Sequence, residues 1–549
     1  MTHPFTRTTT PHAGPVRVRD LSVTFGGRQV IDSLDLLATT GQRIGLVGEN
    51  GSGKSTLLRA IAGRAPERAV LHGSVETPAD LGFLGQEAPF RDDHTVGQVL
   101  AHTLAPLREL VRAVEELSAH LDDEDAAARY AEALDRAVTL DAWDADRRAE
   151  VSAARLGLDH LDPTRAVGSL SGGQRTRLAL AALMTTRPSA LLLDEPTNHL
   201  DDDAVQVLTE FLTGLDGVVL LASHDRVLLD EVCTDLVDLE PGEFGTDGSG
   251  SRRFGGGWSE YVAWRDAARA RWEQTWAEQQ VELQRLRAAT KVTESDVAKG
   301  RGPTDNDKFI HAFKGSRVQG TVARRRRDAE RRLADAEAHQ VRKPRPPLRF
   351  DAPLATAGPG GRLVQVRDVV VDAPDGTPRV RVSRLDIHAG EHLLVTGTNG
   401  VGKSTLLGVL AGRLTPTRGT VDVAARRVVE LVQDVRFADP TRTPAQIYAD
   451  ATGEDATPLH DLGLVHPRDL ARPVGLLSVG QRRRLGLALA VAAEPDLLLL
   501  DEPTNHLSLA LAGEIEEAMA ATPGTVVLAS HDRWLRRRWQ GGTLALTAP

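Results

Sequence analysis

The chain has 549 residues, of which 41% are hydrophobic and 26% charged, and its formal net charge is −10 at pH 7. This length predicts two or more domains with full cores, and this composition is typical of a soluble globular protein. Apolar runs such as residues 497–500 fall far short of the roughly 20 residues needed to cross a bilayer, which argues against a membrane-spanning protein. Cys233 is the single cysteine, so an intrachain disulfide is excluded and a cytoplasmic location is expected.

The N-terminal region predicts a leader followed by an α/β domain. Residues 1–15 contain no apolar core, so we expect a disordered leader rather than a signal peptide. The first half, residues 16–257, opens with strand-like stretches at 16–25 and 43–47. Apolar runs at 191–193 and 218–222 are typical of buried parallel strands, because they are too short for helices and are bounded by turns.

A helical insertion is predicted at about residues 96–156, which are rich in Ala, Leu and Glu with helical periodicity. Gln86 and Ser171 are 85 residues apart, whereas the matching Gln433 and Ser478 are 45 apart. The added helices form either an accessory arm or an enlarged helical subdomain, and we prefer the subdomain.

Residues 258–350 predict a basic interdomain linker. They hold 21 Lys and Arg against 13 Asp and Glu, whereas the rest of the chain carries a net negative charge. Apolar and aromatic residues at helical spacing predict one helix over about 258–298 and a second over about 318–341, joined by a loop at 299–317. A helical hairpin is therefore expected, with either a polyanionic partner or a solvated surface.

The second half, residues 351–549, repeats the motifs of the first. GENGSGKS (Gly48 to Ser55) and GTNGVGKS (Gly397 to Ser404) place Lys54 and Lys403 349 residues apart. The LSGGQ and LSVGQ motifs, LLLDEPTNHL and SHDR recur with a constant offset of 307 residues. A repeat this faithful predicts two P-loop nucleotide-binding domains in one chain.

Glycine-rich phosphate loops leave backbone N–H groups free to contact phosphate, and the following helix adds its positive N-terminus. Lysine reaches the β/γ-phosphates of ATP, and the serine that follows it coordinates Mg²⁺. The candidate ATP-binding residues in these loops are Gly48, Asn50, Gly51, Gly53, Lys54, Ser55 and Thr56, and Gly397, Asn399, Gly400, Gly402, Lys403, Ser404 and Thr405.

Catalytic groups are expected just after the buried strands. Asp194 and Asp501 can orient Mg²⁺, and the adjacent Glu195 and Glu502 can act as general bases towards water. The histidines of both SHDR motifs suit a γ-phosphate contact, and two glutamines are candidate metal or water ligands. These residues are His224, His531, Gln86 and Gln433.

Together these motifs resemble the ATP-binding-cassette superfamily. Two cassettes, EPTNHL in both and a charged helical linker resemble the ABC-F proteins over nearly the whole chain. The resemblance implies a monomer whose halves pair head to tail, so that ATP lies between one half's phosphate loop and the other half's signature. The signature residues would be Ser171, Gly173 and Gln174, and Ser478, Gly480 and Gln481.

Two departures from the family pattern predict unequal ATP sites. Val479 replaces the first glycine of LSGGQ in the second signature. Phe25 lies where the family stacks an aromatic ring on adenine, whereas the matching stretch of the second half, Val371 to Pro374, contains no aromatic residue.

Family resemblance also implies a ribosomal partner: ribosomal RNA, with P-site tRNA as a further contact, and no stable membrane subunit. Many members lodge in the tRNA exit site and direct the linker tip towards the peptidyl-transferase centre. The candidate contact residues are Phe309, Ile310, His311 and Phe313 in the loop, and Arg324, Arg325, Arg326 and Arg327 in the second helix. Alternatively, the loop residues pack within the hairpin and the arginines are a solvated face. Trp258, Trp264, Trp272 and Trp276 are expected to pack against the first half rather than stack on RNA.

The prediction is an ATP-hydrolysing ribosome-binding protein that confers antibiotic resistance by ribosome protection. The Arg-, Ala- and Gly-rich composition suggests a GC-rich genome, which is compatible with an antibiotic producer. A housekeeping translation factor and the tandem ATPase of a membrane drug exporter are the alternatives. A basic hairpin of about 90 residues has no evident use in an exporter ATPase.

Overall fold

The computed structural model describes residues 5–10, 14–48, 51–86, 88–198, 200–239, 252–290, 324, 327–344, 355, 360–373, 375–398, 400–453, 456–504 and 509–547. The chain divides into two compact units. One combines residues 1–240, 250–258 and 347–549, and the other combines residues 241–249 and 259–346. Both nucleotide-binding repeats therefore lie in the first unit, and the predicted α/β fold class with two such repeats is confirmed.

The first half contains two sheets. Its strands are β1 (Thr6–Thr10), β2 (Val16–Phe25), β3 (Arg28–Ala38), β4 (Arg43–Val47), β5 (Ala69–Pro78), β6 (Leu81–Leu84), β7 (Ala190–Asp194), β8 (Val218–Ala222), β9 (Asp235–Asp238) and β10 (Arg252–Gly255). One sheet has the order β1-β5-β2-β3, and the other has the order β10-β9-β4-β8-β7-β6. In the second sheet, β9, β4, β8, β7 and β6 pair in parallel, which brings the carboxyl ends of β4 and β7 to one edge.

The prediction of a disordered leader is wrong for residues 6–10, which form β1. This strand pairs in parallel with β5, from Thr6 opposite Ser74 to Thr10 opposite Pro78. The Arg7 guanidinium also donates to the carbonyl of Ile61 at 3.1 Å. Threonine suits a pleated, half-exposed strand, so the run TRTTT adds an edge strand once β5 presents unpaired backbone groups.

Helices of the first half are α1 (Lys54–Ile61), α2 (Val96–Ser118), α3 (Glu124–Thr139), α4 (Ala145–Arg155), α5 (Gly172–Thr186), α6 (Asp202–Thr213) and α7 (Arg226–Val232). The segment 96–156 contains α2, α3 and α4. They enclose a small apolar core of their own, to which Leu104, Leu107 and Ala137 contribute. This packing is that of a helical subdomain.

The second half repeats the plan. Its strands are β11 (Arg362–Asp372), β12 (Pro378–His388), β13 (His392–Thr396), β14 (Arg418–Val423), β15 (Val428–Leu431), β16 (Leu497–Asp501), β17 (Thr525–Ala529) and β18 (Gly542–Ala545). They form sheets of order β12-β11-β14 and β15-β16-β17-β13-β18. Strands β16 and β17 are buried along their whole length, as expected for continuous apolar runs covered on both faces.

The remaining helices divide between the linker and the second half. Helix α8 (Trp258–Thr290) and α9 (residues 327–338) form the linker. They precede α10 (Lys403–Leu410), α11 (Pro444–Thr452), α12 (Val479–Ala492), α13 (Leu509–Ala521) and α14 (Arg533–Arg538) of the second half. Within the described residues, no helix has the length and apolarity required to cross a membrane.

In the linker, α8 packs against the segment that contains α9. Arg287 forms an ion pair with Glu337 at 2.9 Å, and the Trp272 indole N–H donates to the carbonyl of Arg342 at 3.0 Å. The Lys343 ammonium lies 5.7 Å from the ring centroid of Trp276. Packing against the first half was predicted for Trp272 and Trp276, whereas the contacts observed for these two residues are with the linker itself. The predicted loop at 299–317 lies outside the described residues.

Candidate active site

Both phosphate loops end in a glycine that no other residue could replace without strain. Gly53 and Gly402 precede α1 and α10 with φ of 100° and 102°. A Cβ at Gly402 would lie 2.7 Å from the carbonyl oxygen of Arg379. Positive φ and close backbone approach both favour glycine here, so the sequence requirement follows from the turn that starts each helix.

The loop lysines are folded back over their own loops. Lys54 Nζ donates to the carbonyl of Gly48 at 2.7 Å, and Lys403 Nζ donates to that of Gly397 at 2.8 Å. Burial lowers the pKa of Lys403, while the nearby carboxylates of Glu502 and Asp501 oppose that shift. Each lysine ammonium therefore lies over the loop, where it can contact phosphate oxygens that the loop backbone binds.

A carboxylate stands at the end of each strand beside the loop serine. Ser55 Oγ donates to Asp194 Oδ1 at 2.8 Å, and Ser404 and Asp501 stand at the matching places of the second half, where both line the cavity. Asp194 Oδ2 and Asp501 Oδ1 are buried and accept no hydrogen bond from the described residues. Burial raises the pKa of both aspartates. Unsatisfied buried carboxylate oxygens next to a hydroxyl fit Mg²⁺, a hard cation that prefers oxygen ligands.

Neither site could enclose a metal with side chains alone. Among the described residues, no three His, Cys, Asp or Glu side chains group closely enough to hold a metal ion. Gln86 and Gln433 line the same cavity as Ser55 and Ser404. The donor set of one aspartate, one serine and one glutamine suits a Mg²⁺ ion that keeps water and substrate phosphate oxygens as ligands.

The two glutamates that follow Asp194 and Asp501 share an unusual backbone conformation. Glu195 and Glu502 have φ of 53° and 49°, in the left-handed region that residues other than glycine seldom adopt. Their amides donate to the carbonyls of Ala222 and Ala529 on the neighbouring strands, at 2.8 and 2.9 Å. The sharp turn aims each carboxylate into the cavity, where its side chain is only 9% or 7% exposed.

The glutamates differ in their contacts with histidine. His531 Nδ1 lies 2.8 Å from Glu502 Oε1, and this hydrogen bond raises the pKa of His531. In the first half, the histidine ring lies farther from the carboxylate, with 3.5 Å between His224 Nε2 and Glu195 Oε1. Burial raises the pKa of Glu195 to about 7, although the His224 amide, which donates at 3.1 Å, opposes the shift. The sites are therefore electrostatically unequal.

Both phosphate loops open into one cavity of about 940 Å³. Lys54, Ser55, Glu195 and His224 line it together with their counterparts Lys403, Ser404, Glu502 and His531. The signature serines do not line it. Ser171 and Ser478 instead are exposed N-caps of α5 and α12, each accepting a hydrogen bond from the amide three residues later. The structure thus joins the two phosphate loops, whereas the composite sites implied by the resemblance pair each loop with the opposite signature.

An ionic interface holds the two halves in this arrangement. Arg226 is 3% exposed and donates to Glu516 and to Asp532, the latter at 2.8 Å. Its guanidinium also lies 5.5 Å from the ring centroid of Trp534. Reciprocally, Arg533 lies 3.6 Å from Asp225. The SHDR motifs therefore contribute to the contact between halves as well as to the cavity.

Sequence reasoning did not single out several residues that the structure places at this site, among them Val30, Arg379 and Arg483. Val30 and Arg379 line the cavity, and their spacing of 349 residues equals that of the loop lysines, which is the signal that could have found them. Arg483 lies buried behind the end of β16. Conversely, Phe25 packs against the core of the first half and is not among the cavity-lining residues.

Several predicted residues cannot be placed. Asn50, Asn399, Arg325, Arg326 and the loop positions Phe309, Ile310, His311 and Phe313 lie outside the described residues. Arg324 is described and exposed. The linker contacts thus remain predictions from the sequence.

Comparison with known proteins identifies the architecture. The family model described as "ABC transporter" matches residues 31–198 and 380–505. The chain is 39% identical over 539 residues to the tylosin resistance ATP-binding protein TlrC of Streptomyces fradiae, covering 95% of each chain. It is 31% identical to the energy-dependent translational throttle protein EttA of Mycobacterium tuberculosis, covering 94% of this chain and 89% of EttA.

Among solved structures, the fold is similar to that of the archaeal ribosome recycling factor aABCE1 in complex with the ribosomal stalk protein aP1. The TM-score is 0.53 at 18% identity, covering 94% of this chain and 85% of that chain. At this identity the likeness concerns the fold alone.

Proposed function

Because the chain belongs to the ABC-F family of tandem ATP-binding-cassette proteins, we propose that it hydrolyses ATP at two sites and acts on the ribosome to confer antibiotic resistance. The observation that carries the resistance assignment is the 39% identity to a tylosin resistance protein over 95% of both chains. The hydrolytic assignment is supported by the buried glutamates that follow Asp194 and Asp501 in one cavity.

Each half supplies a full set of groups for phosphoryl transfer to water. The loop amides and Lys54 or Lys403 bind the phosphate oxygens. Mg²⁺, held by the serine and aspartate, would neutralise charge on the β- and γ-phosphates. Glu195 or Glu502 accepts a proton from the attacking water, and His224 or His531 orients the γ-phosphate. The side chains named here line the same cavity, apart from Asp194, which accepts a hydrogen bond from the lining residue Ser55.

Closure of the halves on ATP is proposed to bring Ser171 and Ser478 to the opposite phosphate loops. Such a change must disturb the contacts of Arg226 with Glu516 and Asp532, because those contacts join the halves in the described arrangement. Val479 would then face ATP of the first site in place of glycine. Its side chain is 45% exposed, so the extra methyl groups project outward from α12. We therefore expect the first site to bind ATP more weakly than the second.

We propose that the linker carries the output of this ATPase. Its basic residues, including Arg324 to Arg327, would contact ribosomal RNA phosphates, and the loop residues Phe309 to Phe313 would reach towards the peptidyl-transferase centre. A second candidate function is a translation factor without a resistance role. The identity of 31% to a translational throttle protein favours that alternative.

One experiment separates these functions. The protein is expressed in a drug-sensitive host, and inhibitory concentrations are measured for tylosin and other macrolides, lincosamides, streptogramins and pleuromutilins. An increase of several fold for at least one class, lost in the Glu195→Gln/Glu502→Gln protein, supports resistance. If the intact protein raises none of them while it still co-sediments with ribosomes, the translation-factor function replaces the resistance proposal.

A further inference from the structure

Arg483 is a fully buried arginine on the helix that follows the second signature. It lies in the second turn of α12 and is 2% exposed. Its Nη1 donates to the backbone carbonyl of Gln433 at 2.8 Å. Its Nη2 donates to the backbone carbonyls of Asp501 and Glu502. One guanidinium therefore contacts the backbone of the glutamine, aspartate and glutamate assigned to the second catalytic centre.

The first half has no arginine at the position that matches Arg483. The residue 307 positions earlier is Thr176, whose hydroxyl donates to the carbonyl of Gly172 within its own helix, at 3.1 Å. Helix α5 is instead tied to the segment after β7 by Arg177, which pairs with Asp201 at 2.7 Å. An equivalent helix thus folds with threonine at the matching position, so the fold by itself does not require an arginine.

Burying this guanidinium is costly. Desolvation lowers the pKa of Arg483, and the carboxylates of Asp501 and Glu502 only oppose that shift. A buried charge is tolerated when it is paired and hydrogen-bonded. Here the hydrogen bonds go to the carbonyls around a strained glutamate, since Glu502 has φ of 49°. The contact is therefore directed at the segment whose position matters most for catalysis.

We propose that Arg483 is a positioning residue that sets the place of the Glu502 carboxylate and of the Gln433 segment in the second ATP site. This inference rests on the proposed ATPase function. Because α12 begins at Ser478, the same side chain also connects the second signature to the catalytic end of β16. A shift of that signature would move Glu502, so the two ATP sites are coupled through one side chain.

The test replaces Arg483 with the residue that the first half carries. Arg483→Thr is expected to lower kcat for ATP hydrolysis by roughly 10- to 100-fold, because misplacing a catalytic group by about 1 Å has that effect. KM and the affinity for a fluorescent ATP analogue with Mg²⁺ should stay within about twofold, since the phosphate loops are untouched. Arg483→Lys, which keeps the charge but has a single donor group, should recover part of the rate.

Arg482→Thr provides the matched control. Arg482 lies one position earlier on α12 and donates to the carbonyl of Leu477 at 2.8 Å, away from β16. Its kcat should remain within twofold of the parent. A kcat for Arg483→Thr within twofold of the parent would overturn the inference. The inference would also be overturned if analogue binding and the melting temperature of Arg483→Thr decreased in proportion to kcat, because that pattern indicates general damage to the fold.

Two further outcomes are also decisive. If Arg483→Thr does not fold, Arg483→Lys decides alone, and a parental kcat in that variant contradicts positioning. If the parent protein itself hydrolyses no ATP, the proposed function fails and the inference fails with it. If only the inference fails, the parent protein still hydrolyses ATP and the Arg483 variants hydrolyse it at the parental rate.

Discussion

The guanidinium of Arg226 donates to the carboxylate of Asp532 at 2.8 Å, so the SHDR motif of one half binds the SHDR motif of the other. Glu516 completes the site, and the Arg226 side chain is almost fully buried. The motif that supplies His224 and His531 to the cavity therefore also fixes how the halves meet.

Removing Arg226 should destabilise the contact between halves. Arg226→Ala leaves two carboxylates partly buried without their partner, and breaking a buried pair in this way costs about 3–5 kcal/mol. We expect a melting temperature several degrees below that of the parent. Arg17→Ala is the control, because the Arg17–Glu76 pair is about one-third exposed and worth roughly 1 kcal/mol or less. Equal effects of the two changes would contradict a special role for Arg226.

Stability should depend on pH through Glu195. Its pKa rises from an ordinary 4.5 to about 7 because the carboxyl is buried. The folded state therefore favours the protonated form, and stability is lost as pH rises from about 4.5 to 7. The penalty is on the order of 3 kcal/mol at pH 8. Glu195→Gln removes the charge, so its stabilisation in thermal melts should be larger at pH 8 than at pH 5.

Glu109→Gln, which alters an exposed carboxyl on α2, is the control for this measurement. Its effect on melting temperature should be small at both pH values. A stabilisation by Glu195→Gln that is the same at pH 5 and pH 8 would show that burial does not raise the pKa of the Glu195 carboxyl.

Loss of both general bases should stop turnover but not binding. Glutamine cannot accept the proton of the attacking water, so Glu195→Gln/Glu502→Gln should lower kcat by at least about 100-fold. The loop lysines and glycines remain, so ATP should still bind. The trapped protein is expected to stay on ribosomes in ATP-dependent co-sedimentation. Normal turnover in the double variant would disprove the assignment of the bases.

The two sites should also respond unequally when one base is removed. Glu502 has a close hydrogen bond from His531, whereas the Glu195–His224 approach is 3.5 Å. Val479 belongs to the proposed first site, where we expect it to weaken the contact between the signature and ATP. We expect different residual ATPase rates for Glu195→Gln and Glu502→Gln, measured at saturating ATP. Indistinguishable rates would contradict functional asymmetry.

Ribosome binding should depend on the basic linker and decrease with salt. Replacing Arg324 to Arg327 with glutamine removes up to four phosphate contacts, so co-sedimentation should weaken and its salt dependence should flatten. Basal ATPase should change by less than about twofold, because neither Arg324 nor Arg327, the two described residues of this run, lines the cavity. Loss of ATPase with retained binding would indicate that the arginines are structural.

Sequence alone determined the local chemistry of this protein. A phosphate loop is a continuous stretch in which glycine spacing, lysine and helix start are encoded together, so Lys54 and Lys403 could be proposed as phosphate ligands without coordinates. Asp194 and Asp501 could be proposed as metal ligands for the same reason, since each directly ends a short apolar run. The fold class followed from two copies of these patterns. The leader was misjudged because β1 exists only where β5 offers it a pairing edge.

Tertiary structure decided the relationships between residues that are distant along the chain. Arg226 and Asp532 are 306 positions apart, and no local pattern shows that they meet. Arg483 and Thr176 occupy matching places in similar helices, yet only packing shows that the arginine reaches Asp501 and Glu502. Hydrogen bonds of this kind depend on burial and on the relative placement of helices and sheets, and both arise only when the whole chain has folded.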